Sequence, residues 1–168
     1  MRWFDWVSIG IVVAMAIIQT VRTSKAGSMS LALFEMGGLI VAALGANVFA
    51  GPVSQAIGMQ RAIVLIVLFF IFTMLGFFFA QWLFATIGWS FAPFDTFLGL
   101  IWGVAAGWVI AHMVLRIIME LQGPKGAVAS TIGNAPVAGE IYYFKGWNAL
   151  MRFLFKVGLG PDSTLDVN

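Results

Sequence analysis

Four long apolar stretches, joined by short polar or glycine- and proline-containing connections, decide what this chain can fold into. They cover residues 4–21, 31–50, 62–88 and 94–118. Each is close to or above the ~20 residues that a helix needs to cross a ~30 Å hydrocarbon core. Backbone in that core has no water to bond to, and a helix satisfies its donors and acceptors within one segment. The expected fold is therefore all-α: a polytopic membrane protein whose domain, residues 1–120, has four transmembrane helices. With 61% hydrophobic and 10% charged residues in 168, the chain is too apolar for a soluble domain of its size.

The connections carry their own signals. Arg22 and Lys25 follow the first run where a signal peptide would have small cleavage-site residues, so this run reads as a retained helix. Gly51-Pro52 is expected to end the second helix. The third run is longer than the bilayer core and should tilt or emerge. Residues 89–93 are a tight, uncharged joint, which makes the third and fourth helices antiparallel neighbours. Pro93 and Asp95 suit the start of the fourth helix, and Arg116 and Glu120 close it.

Residues 121–139 read as a linker, containing Gly, Pro, Ser and Asn without a sustained period. From 140 to 158 a helical pattern resumes, with Lys145, Arg152 and Lys156 on one face and Tyr143, Trp147, Leu150 and Leu154 opposite. That is the pattern of a basic amphipathic helix lying in the headgroup layer. A fifth crossing would bury three cations, at about 2.5–3.5 kcal/mol each near the centre. The last stretch, 159–168, is polar and expected to be a flexible tail.

Charge placement orients the bundle. Arg2, Arg61, Arg116 and Lys125 lie on the side of the N-terminus, against Arg22 and Lys25 on the other. The positive-inside bias then places both termini in the cytoplasm. A net charge of +2 gives no footprint for nucleic acid, so the lipid bilayer is the expected partner. The absence of cysteine removes disulfides, thiolate metal sites and thiol catalysis, and a single histidine removes a multi-histidine metal site within one subunit. No phosphate loop, nucleophile elbow or zinc motif is present. The expectation is a protein without catalytic residues, cofactor or metal.

Small residues form the sharpest pattern. Gly99, Gly103 and Gly107 recur every four residues in the fourth helix, and Gly38, Ala42 and Ala46 do so in the second. Such grooves let backbones approach closely in lipid. The second helix is expected to answer the fourth, and two uses stay open: packing within one bundle, or homo-oligomerisation. Glu35, Asn47, Gln81 and His112 are the polar groups at membrane depth, which raises the question of an ion or proton path. The plainer alternative has Glu35 near a helix start, at the interface, and His112 bonded to a neighbouring backbone group.

Together, Phe4-Asp5-Trp6, the small-residue second helix ending in Ala46-Asn47-Val48-Phe49, and the stretch from Pro93-Phe94-Asp95 to Gly99, Gly103 and Gly107 resemble the colicin V production protein (CvpA) family of bacterial inner-membrane proteins. The likeness covers roughly residues 3–118. It departs at 22–27, where the family commonly has a Gly-Arg-Gly-like turn followed closely by an acidic residue, and at Asp95-Thr96, where an aspartate-arginine pair is frequent. The resemblance implies a four-helix protein of the bacterial inner membrane linked to colicin V or toxin production or export, envelope homeostasis and biofilm behaviour. It carries over no catalytic residue. The functional expectation is a non-enzymatic assembly or accessory subunit, with itself or an export or envelope complex as partner; the alternative is a small oligomeric channel or secondary transporter subunit.

Overall fold

The computed structural model describes residues 1–123, 125–146, 148 and 149. These form four long helices, α1 (Trp3–Ala26), α2 (Ser30–Ile57), α3 (Arg61–Ile87) and α4 (Asp95–Gln122), then a 3-10 turn (Ile132–Asn134) and a short helix α5 (Ala138–Tyr143). Each of the four is long and apolar enough to cross a membrane. The protein is all-helical and membrane-embedded, and no strand occurs among the described residues.

The helices outrun their apolar cores. α1 continues through Arg22 and Lys25 and stops where Gly27 turns left-handed, at φ 64°. α2 does not end at residue 50 as expected but passes through Pro52 to a second left-handed glycine, Gly58 at φ 68°. A proline removes one ladder donor and crowds one carbonyl. The turn accommodates this, and Ser54 Oγ bonds Gly51 O at 2.8 Å within it.

The helices pack in the order α1, α4, α2, α3. α1 lies along α4, α4 also packs on α2, and α2 packs on α3 over its length. α3 is antiparallel to α4 but touches it only slightly, and α1 and α3 do not meet. α3 accordingly buries only Ala62, Val64, Leu65 and Ala80. One core joins Ala43, Ala46 and Ala50 of α2 to Val64 and Leu65 of α3 and Met113 of α4.

Glycines set the helix registers. A Cβ on Gly107 would lie 2.6 Å from Val12 Cα, and one on Gly103 would lie 2.8 Å from Ala16 Cα. Since α1 and α4 are antiparallel, the nine residues from Val12 back to Trp3 match the nine from Gly107 on to Arg116. The last six residues of α4 therefore project about 9 Å past the start of α1.

Residues following α4 fill that step. The stretch read as a linker is irregular, with turns and a 3-10 turn, yet it is packed. Val128, Ile132, Ala135, Ala138 and Ile141 are buried against Phe4 of α1 and Ala111 and Leu115 of α4. α5 ends at Phe144, whose backbone is left-handed at φ 51°. A single continuous helix from 140 is thus interrupted at that residue.

Candidate functional site: an ion pair in a lateral cleft

The far end of the bundle, opposite the N-terminus, holds a polar cluster drawn from three helices. Glu35 sits a little over a turn into α2 and is fully buried. Arg22 of α1 approaches it end-on, with Nη1 2.7 Å from Oε2 and Nη2 2.6 Å from Oε1. Gln19, one turn deeper on α1 and also fully buried, donates Nε2 to Oε2 at 2.7 Å. A carboxylate removed from water needs such partners, since an unpaired buried charge is expensive. Glu35, near its helix start as the sequence suggested, is thus enclosed by protein, with α1 packed over it.

The cluster opens sideways. Because α1 and α3 do not meet, a cleft of about 230 Å³ runs between them, lined by Arg22, Glu35 and Met74, Phe77, Phe78 and Gln81 of α3. The Arg22 side chain remains 39% exposed. Gln81, exposed on α3, shares the cleft with the pair. Gln19 Oε1 and Thr23 Oγ1, both buried, have no hydrogen-bond partner among the described residues.

Asn47 and His112 are not part of this cluster. Asn47 lies 12 residues beyond Glu35 on α2, about 18 Å along the axis, and residues 36–46 between them carry no polar side chain. Its Nδ2 donates to Ala43 O at 2.8 Å and approaches Met113 Sδ at 3.3 Å. His112 Nδ1 lies 3.2 Å from Ile141 O of α5, and its ring stacks on Tyr142 at 5.3 Å between centroids. The four polar residues therefore form two separate layers joined by apolar helix.

Two aspartates latch the ends. Asp95 Oδ1 accepts the Phe91 N–H at 2.8 Å and the Met29 N–H at 3.1 Å, and Ser90 Oγ donates to Oδ2. Ser28 Oγ donates to Trp89 O in the same place, tying the α1–α2 connection to the α3–α4 connection. At the near end Asp5 Oδ1 accepts the N–H groups of Ala138 at 2.9 Å and Val137 at 3.2 Å, and its Oδ2 accepts that of Arg2 at 2.8 Å. Each aspartate follows a phenylalanine at the start of a long helix. That repeated pair was a visible signal, but the partners Met29, Val137 and Ala138 that make it a latch lie 66 to 133 residues away in sequence.

The glycine groove has an occupant. Gly99, Gly103 and Gly107 pack on Thr23, Ala16 and Val12 of α1, so α1 answers this groove rather than α2. Gly38 faces Gly76 of α3, where a Cβ on either would lie 3.0 Å from the other's carbonyl oxygen. Ala42 and Ala46 are buried in the α2 contacts. An open apolar groove lies elsewhere. A groove of about 760 Å³ runs between α2 and α3, its walls including Gly37, Val41, Gly45, Phe72, Leu75 and Phe79.

Of the basic residues assigned to the headgroup layer, Lys145 is exposed, donates to Gly133 O at 2.6 Å and stands over the Tyr143 ring at 5.7 Å. Arg152 and Lys156, with most of the amphipathic pattern and the tail from 159, lie outside the described residues. No protein-family model, curated protein or solved structure matches this chain.

Proposed function

We propose that this protein is a non-enzymatic subunit of the bacterial inner membrane that assembles within the bilayer, with copies of itself or with an export or envelope complex, through the α2–α3 face. The observation that carries this reading is the state of α3. It is packed by α2 along one side and leaves Phe70, Leu75, Phe78, Phe79 and Trp82 exposed. Gly37 of the adjoining groove has open space where a side chain would stand, so another backbone can approach closely there. The α4 glycines are already covered by α1, whereas the groove beside Gly37 is open.

The resemblance carried by Phe94-Asp95 and the following glycines adds colicin V or toxin production and envelope homeostasis as the process served, with both termini cytoplasmic by the charge bias. The channel alternative draws less support from a single copy, because the apolar stretch between Glu35 and Asn47 leaves no polar lining on α2. The test is the native mass of the protein in lipid nanodiscs, with copurifying membrane proteins identified in the same sample. A stoichiometric assembly, with itself or a defined partner, is the expected result. A monodisperse monomer without partner contradicts the reading.

A further inference from the structure

At the near end a different cleft, of about 300 Å³, lies between α4 and the packed segment after it, lined by Arg116, Met119, Glu120, Gly123, Ala129 and Tyr142. Its cation is unbalanced. The ion pairs among the described residues are Arg22 with Glu35 and Arg61 with Glu120, at 3.3 Å in the second case, so Glu120 is already engaged and Arg116 has no carboxylate. Arg116 is half-buried, and its Nε is enclosed without any hydrogen-bond partner among the described residues. A buried charged donor left in this state is costly and calls for an anion.

Depth identifies which anion. By the glycine register Arg116 is level with Trp3, the first residue of α1, where a chain of this length leaves the hydrocarbon core. Phosphates of the adjacent leaflet lie at that level. Below it the same face of α4 is covered by α5 and Phe144 at His112 and Trp108 and opens again only at Ile101. A cationic, planar donor set at that level matches a lipid phosphate, and arginine is the side chain suited to two-pronged phosphate contacts.

We infer that the Arg116–Tyr142 cleft is a binding site for the phosphate of one anionic phospholipid in the leaflet at the N-terminal end. Arg116 supplies the charge and Tyr142 the cleft wall opposite it, held in place by its stack on His112.

The test is native mass spectrometry of the full chain released from micelles containing equal phosphatidylglycerol and phosphatidylethanolamine. Wild type should keep one phosphatidylglycerol in preference to phosphatidylethanolamine. Arg116→Gln should retain it about tenfold less, as expected for a lost charged hydrogen bond, whereas Arg2→Gln should behave as wild type. If Arg116→Gln does not fold, Arg116→Lys decides, since it keeps the charge but not the fork: retention should fall several-fold. Unchanged retention in a folded Arg116 variant overturns the site. So does binding of inorganic phosphate to lipid-free protein with the same dependence on Arg116, which would make the ligand a free anion.

Discussion

Arg22 donates Nη1 to Glu35 Oε2 and sets Nη2 2.6 Å from Oε1, yet the two residues differ in their access to solvent or lipid headgroups: the carboxylate is fully buried and the arginine side chain is 39% exposed. The pair is therefore asymmetric in what each partner loses when the other is removed. Arg22→Ala leaves a buried carboxylate with Gln19 alone, and should destabilise the protein by about 3 kcal/mol. Glu35→Ala leaves a cation that can reach the interface, and should cost about 1 kcal/mol less. Reversible unfolding in mixed detergent micelles measures both, and the Arg22→Ala, Glu35→Ala double variant should be more stable than Arg22→Ala.

Gly103 and Gly37 separate packing from composition. A Cβ at Gly103 meets Ala16 Cα at 2.8 Å and Met15 O at 2.9 Å, backbone atoms that cannot turn aside, whereas one at Gly37 meets nothing within 4 Å. Gly103→Ala should lower stability by about 1–3 kcal/mol through overpacking, and Gly37→Ala should leave it unchanged or slightly raise it. The same unfolding measurement compares the two. Equal effects would mean that α1 does not lie on the α4 glycines.

Asp5 holds the segment after α4 onto the bundle. Asp5→Ala leaves the N–H groups of Val137 and Ala138 without their acceptor, a local loss of about 1–3 kcal/mol. Hydrogen exchange at residues 137–141 should accelerate by roughly tenfold or more, while the α1–α4 contact stays protected. Unchanged exchange would show that buried Ile132 and Ile141 suffice to hold the segment.

These contacts mark where sequence reasoning reached and where it stopped. Four helices were legible because lipid leaves so few choices for apolar runs of this length. Their ends were not, since charged residues and even Pro52 continue a helix that has left the hydrocarbon; the better stop signals were Gly27 and Gly58, both left-handed. A four-residue glycine repeat defines a face but not what covers it, so the groove was visible and α1 was not. The enclosure of Glu35 was hidden for a related reason: its partners Gln19 and Arg22 are on another helix, and nothing local to residue 35 announces them. Val128, Ile132 and Ala135 had a helical three-and-four spacing that the surrounding Gly and Pro residues obscured.

Cysteine crosslinking in native membranes tests assembly through the α2–α3 face most directly, and the chain has no cysteine of its own to interfere. Leu75 and Phe79 stand exposed on the groove wall, and Ile17 is similarly exposed on α1. Leu75→Cys and Phe79→Cys should yield a discrete covalent dimer or a defined adduct with a partner, at several times the yield of Ile17→Cys. Monomer alone at all three positions, or equal yields at α1 and α3, would contradict the account.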